Sequence, residues 1–317
     1  MPNQDVKQLG KVAVLMGGYS AERVISLRSG QAVLDTLTKA GVDAHAFDPS
    51  EQSLELLKQQ NFARAFISLH GRGGEDGTIQ GALDHFQIPY TGSGVLGSAL
   101  AMDKIKCKQI WQSMKLPTAP YCTLARNQLE QTDLTHILEQ LNHDVIVKPC
   151  QEGSSVGMAK AHDEDTLKEA LLDAFNYDEQ VLIEQCLKGP EYTVSIVGQQ
   201  ILPSIRLETS RTFYDFHAKY ESPETQYFCP SGLTDVQNDQ LSQLAKSAYD
   251  ALGLTGWGRV DVMQDASGEF YLLEVNTSPG MTTSSLVPMA AQAVGKDFTT
   301  LVLEILWQTY THKDDSR

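Results

Sequence analysis

Residues 12–47 read VAVLMGGYSAERVISLRSGQAVLDTLTKAGVDAHAF. The apolar run Val12 to Met16 ends in a glycine turn at Gly17-Gly18, a helical pattern runs from Ser26 to Ala40 and stops at Gly41, and Ala44 to Phe47 is strand-like again. A short apolar run, a helix-period segment and a second short run in that order predict parallel strands joined by a crossover helix. The same rhythm continues with a helix over Gln52 to Gln59, a strand over Ala65 to Leu69 and a helix over Thr78 to Phe86. The first third of the chain is therefore expected to be α/β, a parallel sheet with helices on its faces. Ligand-binding groups in such sheets collect beyond the carboxyl ends of the strands, where GGYSAER and HGRGGEDG fall.

Farther along the text changes. TGSGVLGSALAMDK, from Thr91, reads as a linker entering a helix over Asp103 to Met114, with a domain boundary near Asp103. A small α+β unit extends to about Gly189, with strands Val145 to Val147 and Val181 to Gln185, the loop QEGSSVG and a helix over Glu164 to Phe175. The remainder reads as strands Tyr192 to Val197 and Ile201 to Leu207, an irregular stretch Glu208 to Gly232, a helix Asp235 to Leu252, a hairpin Arg259 to Asn276 and two apolar helices, Leu286 to Ala293 and Leu301 to Thr309. The expected organisation is a Rossmann-like unit over 1–102 and two α+β units over 103–189 and 190–317. The irregular stretch exceeds the roughly 12 to 15 residues above which structureless loops are uncommon, and its aromatics Phe213, Tyr214, Phe216, Tyr220, Tyr227 and Phe228 favour a lid over about 208–232.

Of 317 residues, 41% are hydrophobic and 21% charged, which excludes collagen-like and disordered chains. The 25 Lys+Arg against 40 Asp+Glu give a net charge of -15, a field that repels nucleic acid and anionic membranes. A bound anionic nucleotide then depends on local backbone N–H groups, single Lys or Arg residues, or a metal. The five cysteines, Cys107, Cys122, Cys150, Cys186 and Cys229, form no C-x-x-C pair, which argues against a disulfide framework or zinc site and for a reducing cytoplasm. No apolar segment reaches the roughly 18 residues of a membrane span, so an unexported protein without membrane insertion is expected.

The hairpin is the segment richest in chemistry. With its turn at Asp265 to Gly268, antiparallel register sets Asp261 opposite Leu272 and Arg259 opposite Glu274. Period-two alternation then puts Arg259, Asp261, Glu274 and Asn276 on one face and Val260, Val262, Leu273 and Val275 on the other. Two carboxylates and an amide oxygen are hard-oxygen ligands suited to Mg²⁺, although a solvated polar face fits the same pattern. The loop Gln151 to Gly157 follows a strand ending in Lys148, and its small residues allow backbone amides to approach an anion; an ordinary turn is the competing reading. Lys104 opens a helix, where it serves equally as a surface charge. His70 ends a strand ahead of a glycine run, as a catalytic group or a structural hydrogen-bonding one. Glu22 points into the same crevice or caps the helix beginning near Ser26. Glu184 and Glu191 bracket a strand-to-strand link that could hold a nucleoside, or are surface glutamates.

Together HGRGGEDG, YTGSG followed by MDK, VIVKP followed by EGSSVG, FYDFHAKY, GWGRVDV and LLEVNTSPGMT resemble, in order and spacing, the D-alanine-D-alanine ligases, and the resemblance spans nearly the whole chain. It implies a two-lobed ATP-grasp fold behind the N-terminal domain. The implied activity is phosphorylation of one D-alanine carboxylate by ATP and attack by the amine of a second, giving D-alanyl-D-alanine, ADP and phosphate for peptidoglycan synthesis. By the same resemblance Lys104 and Lys148 would hold ATP phosphates under Ser154, Ser155 and their loop, Glu184 and the Leu187 backbone would contact adenine, and Glu191 the ribose. Asp261, Glu274 and Asn276 match the magnesium ligands, for two Mg²⁺ ions or Mn²⁺ in their place. Glu22 would bind the first ammonium, Arg259 with amides near Gly280 the oxyanion, and Ser285 and Leu286 the second carboxylate. Glu22, Ser154 and Tyr220 match a triad, Lys219 would reach the phosphoryl group from the lid, and His70 would help position substrate. The Lys219-Tyr220 pair favours D-alanine over D-lactate as second substrate, whereas Val24 stands where a second acidic residue often follows the Glu-Arg pair. The family resemblance also suggests a homodimer. A glutathione synthetase-like ligase keeps the fold with another acceptor, but the lid and SPGMT weigh against it; a regulatory protein without catalysis would lack a metal ligand or Arg259.

Overall fold

The computed structural model describes residues 5–208 and 225–310. Its first sheet is parallel, ordered β2-β1-β3, with β1 (Val12–Leu15) between β2 (Ala44–Phe47) and β3 (Arg64–Ile67). All four residues of β1 are buried because both faces are covered. Val12 and Val14 meet Val33 and Leu37 of α1 (Arg23–Lys39) and the last helices of the chain, while Ala13 and Leu15 meet Phe47, Leu57 and Leu83. Helix α1 buries Ile25, Ser29, Gly30, Val33 and Leu37, one face at helical spacing. It begins at Arg23, three residues before the expected start. Short helices α2 (Glu55–Gln59) and α3 (Thr78–Phe86) complete the unit, α3 opening after the left-handed Gly77 with Asp76 Oδ1 accepting from Thr78 N.

The expected linker after Thr91 is instead largely a helix, α4 (Val95–Met102), and Asp103 caps the next one, α5 (Lys104–Ser113), by accepting from Lys106 N at 3.0 Å. Gly97, Ser98 and Ala101 look like linker residues, but their small size lets α4 press against the chain at Leu254.

The second sheet is antiparallel, ordered β4-β7-β5-β6: β4 (Tyr121–Ala125), β7 (Gln180–Gln185), β5 (Val145–Pro149) and β6 (Ala159–Ala161). Val145, Val147, Val181 and Ile183 pack on α6 (Leu134–Gln140) and α7 (Glu164–Ala174), which leaves Lys148, Leu182 and Glu184 on the face towards α5. The third sheet runs β11-β10-β8-β12-β13 with β9 beside β8: β8 (Glu191–Val197), β9 (Gln200–Ile201), β10 (Ile205–Glu208), β11 (Gln226–Phe228), β12 (Trp257–Gln264) and β13 (Phe270–Asn276). The expected strand Ile201 to Leu207 is two strands, broken around Pro203, which has no N–H to donate. Part of the stretch expected to be irregular pairs as β11, with Tyr227 opposite Leu207; residues 209–224 lie outside the described residues. One face packs on α8 (Asp235–Ala251); α9 (Leu286–Ala293) and α10 (Phe298–Trp307) return to cover the first sheet.

The register of the hairpin differs from expectation. Gln264 pairs with Phe270 and Val262 with Leu272, and a bulge then leaves Leu273 without a partner, so that Asp261 faces Glu274 and Arg259 faces Asn276. Leu272, not Leu273, joins Val260, Val262 and Val275 in the core. One extra residue reverses the parity of alternation, which is how a bulge re-aims a strand.

Met16 touches α1 where it carries Gly30: a Cβ built on Gly30 lies 2.3 Å from the Met16 Cβ, which is rigidly tied to the backbone. Gly30→Val is expected to lower stability by about 1–3 kcal/mol through overpacking, read as an earlier thermal midpoint; an unchanged midpoint would show that α1 moves freely over β1.

Candidate active site

Three lysines surround the open face of the second sheet. Lys148 Nζ pairs with Glu184 Oε2 at 2.7 Å, and Lys108, one turn beyond Lys104 on α5, pairs with the other oxygen of the same carboxylate. Glu184 and Lys108 are each about 1% exposed. Burial alone would raise the Glu184 pKa, but the two ammonium groups hold it below the ordinary carboxylate range. Lys148 is held above its usual value by Glu184 against its own burial, while burial wins at Lys108 and lowers it. Glu184 is thus the shared counter-ion of two lysines. Leu187 is buried in the link that follows β7, and Glu191 opens β8 opposite Leu207 and Met263.

Lys104 donates to the Glu152 carbonyl at 2.6 Å and lies 3.6 Å from Glu274 Oε2. Glu152 is the second residue of the glycine-serine loop, in which Ser154 and Ser155 take φ of 51° and 60° and Gly157 takes 66°. Consecutive left-handed residues are uncommon outside glycine and form loops able to turn amides towards an anion. Ser154 donates to Glu22 Oε1, and Glu22 lies so close to Gly153 and Gly71 that a Cβ on either would meet its carboxylate within 3 Å. Glu22 occupies the N-cap position of α1 without a capping bond from its side chain, which is turned to the loop instead.

On the hairpin Arg259 grips Asp261 with two bonds, Nε to Oδ1 at 2.8 Å and Nη2 to Oδ2 at 2.7 Å. Thr193 adds a bond to Oδ1 at 2.7 Å and Asn276 Nδ2 one to Oδ2 at 3.0 Å. Asn276 thus meets Asp261 through its amide nitrogen, and Glu274 stands on the neighbouring rung, opposite Asp261.

Between these parts lies a cavity of about 280 Å³. The structure brings Glu22, His70, Ser154, Arg259, Asn276, Gly280, Ser285 and Leu286 to its wall, eight site residues singled out in the sequence. His70 is buried, which lowers its pKa and keeps it neutral. Its two nitrogens are engaged: Nδ1 donates to the Ser278 carbonyl at 2.7 Å, and Nε2 accepts from Ser29 Oγ at 3.1 Å, which itself accepts from Met281 N. His70 therefore ties the first sheet to the loop ahead of α9. Lys219 and Tyr220 lie outside the described residues.

Two participants were not singled out in the sequence. Lys108 resembles any solvated helical lysine. Glu75 lies within HGRGGEDG, where the glycines drew the reading; an acidic residue between them was the signal. Its carboxylate lines the cavity and accepts from Gly71 N at 2.8 Å and Ser278 N at 2.9 Å. Burial first, then the nearby Glu22 charge, push its pKa up to about 7 against those amides and Arg259. Arg72, from the same run, reaches the second sheet.

The sequence patterns of the D-ala D-ala ligase N-terminus and C-terminus match residues 41–93 and 110–307. The chain is 55% identical over 302 residues to a D-alanine--D-alanine ligase of Pseudoalteromonas atlantica, covering 95% of both chains. Its fold matches the crystal structure of a D-alanine--D-alanine ligase from Bacillus anthracis with a TM-score of 0.83 at 32% identity, over 96% of this chain and 99% of that one. The Bacillus anthracis ligase complexed with ATP gives 0.82 at 30% identity, with the same coverage. The VanG D-Ala:D-Ser ligase of Enterococcus faecalis gives 0.82 at 26%, over 95% and 99%. With both halves of the family pattern matched and the ATP-grasp architecture of its solved members reproduced, the chain belongs to the D-alanine-D-alanine ligase family.

Proposed function

We propose that this chain joins two D-alanine molecules at the expense of ATP, with the cavity beneath Arg259 as the site of bond formation. The observation that carries this reading is the polarity of that cavity. Its wall carries both the Glu22 carboxylate, suited to an ammonium, and the start of α9 at Ser285 and Leu286, suited to a carboxylate. Arg259 lines the same cavity and also bonds to Asp261 of the hairpin.

Glu22 accepts the first ammonium and places that molecule's carboxylate below Arg259. Lys104 and Lys148 hold the nucleotide phosphates, with Ser154, Ser155 and their loop above; the Leu187 backbone and Glu184 border the base and Glu191 the ribose. Both lysines exchange present partners, the Glu152 carbonyl and Glu184, for phosphate oxygens, and Lys108 remains to neutralise Glu184 when Lys148 turns away. The carboxylate oxygen takes the γ-phosphoryl group and ADP leaves. The second amine, deprotonated, attacks the acyl carbon; Arg259 and the Gly280 N–H face the developing oxyanion, and phosphate departs as the peptide bond forms. Ser285 and Leu286 hold the second carboxylate and His70 keeps their loop in place; by the family pattern Lys219 would serve the phosphoryl group and Tyr220 would join Glu22 and Ser154, and exclusion of water protects the acyl phosphate from hydrolysis.

Asp261, Glu274 and the Asn276 amide oxygen are hard-oxygen donors of the kind that suits Mg²⁺, with Asp261 facing Glu274 across the hairpin; to hold an ion Asp261 would exchange its Asn276 bond for the metal. Such ions would neutralise charge on the transferring phosphoryl group. A cytoplasmic location and a homodimer are part of the proposal. Among the described residues no helix is long and apolar enough to cross a membrane.

Purified protein with ATP and Mg²⁺ is expected to release ADP and form D-alanyl-D-alanine, identified by mass, with D-alanine and not with L-alanine; added D-lactate should yield far less product than D-alanine. A folded protein that binds ATP but makes no dipeptide would overturn the reading. Arg259→Met is expected to lower kcat by about 10²–10³-fold, as loss of an oxyanion donor does; wild-type kcat in that variant would remove Arg259 from the chemistry.

Glu75 supplies a pH signature. Its folded pKa of about 7 lies above the ordinary 4.5, so its contribution to stability is full below pH 4.5 and declines as pH rises through 7. Glu75→Gln should flatten that decline in a series of thermal midpoints; parallel curves for wild type and variant would contradict the shift.

A further inference from the structure

Arg72 leaves the glycine run between Gly71 and Gly73, both in the left-handed region, and crosses to the second sheet. Its Nε donates to Glu152 Oε1 at 2.8 Å and its Nη2 to Asp178 Oδ1 at 2.5 Å, with the Tyr177 carbonyl at 3.4 Å. Asp178 uses its other oxygen to accept from Gln151 N at 2.8 Å. The guanidinium thus holds the first two residues of the glycine-serine loop, one directly and one through Asp178.

What the loop does next gives this grip its meaning. The carbonyl of Glu152 takes the Lys104 ammonium, and two residues on Ser154 bonds to Glu22. A single arginine therefore fixes the position of a phosphate-binding lysine and of the carboxylate proposed for the first ammonium. Arg72 does not line the amino-acid cavity. The planar fork suits two carboxylates at once, which a lysine cannot match.

We propose that Arg72 is a positioning residue that clamps the glycine-serine loop to the first domain, coupling occupation of the amino-acid site to closure over the transferring phosphate. This rests on the proposed placement of phosphate under that loop. With the clamp released, the loop opens during the life of the acyl phosphate and water enters. Water then attacks in place of the second amine, regenerating D-alanine and releasing phosphate, so that ATP is consumed without a peptide bond.

The test compares wild type, Arg72→Ala and Arg72→Lys by counting ADP and dipeptide in the same reaction at saturating D-alanine. Wild type forming one dipeptide per ADP establishes the ligase reading independently. Arg72→Ala is expected to release about two or more ADP per dipeptide and to raise KM for ATP at least about fivefold, with Arg72→Lys between the two. The side chain is 44% exposed, so the thermal midpoint should stay near that of wild type. If Arg72→Ala proves unstable, the same comparison is read in Arg72→Lys alone. One ADP per dipeptide and a KM within twofold of wild type would overturn the proposal.

Discussion

The buried fork between Arg259 and Asp261 is the constraint on which the rest of the site depends. An ion pair withdrawn from water is stable only when its remaining hydrogen-bonding capacity is filled. Thr193 from β8 and Asn276 from β13 fill that of Asp261, so three strands of the third sheet are tied together across two neighbouring rungs. The bulge at Leu273 makes the lock geometrically available, because it sets Asp261 opposite Glu274 rather than Leu272. Arg259 is thereby fixed with one end on the Asp261 carboxylate and its side chain on the wall of the cavity, the position in which the proposed ligation needs a cation.

A chain of net charge -15 places its cations where they are few and specific. Lys148 and Lys108 share one buried carboxylate, and Lys104 rests on a loop carbonyl. None is a free surface charge, so in the proposed reaction Lys104 and Lys148 would meet phosphate from positions already held, with little left to order on binding. The cost is that each lysine must exchange a partner, and a loop clasped by Glu22 and Arg72 is suited to governing that exchange.

Much of this was legible in the sequence because the relevant signals were local. Parallel strands declared themselves by short apolar runs before glycine turns, and Asp261, Glu274 and Asn276 were placed on one face by alternation alone. The hairpin register was not legible, since a bulge adds one residue without changing composition. Helix α4 read as a linker because small residues that permit close packing also occur in linkers. Lys108 and Glu75 acquire meaning only through partners far along the chain, Glu184 for one and the Ser278 amide for the other. His70 fits a catalytic or a structural role by sequence alone, and the bonds to Ser278 and to Ser29 of α1 engage both its nitrogens in fastening the loop ahead of α9.

The most direct test of a site in which one arginine joins phosphate chemistry to the amino-acid cavity follows an atom through it. D-alanine labelled with ¹⁸O in its carboxylate would be incubated with ATP and the protein, and the released phosphate analysed by mass. Transfer of the carboxylate oxygen to the phosphoryl group predicts one ¹⁸O in the phosphate for each dipeptide formed. Unlabelled phosphate accompanying labelled dipeptide would mean that the amino acid is activated elsewhere or otherwise, and would contradict the account.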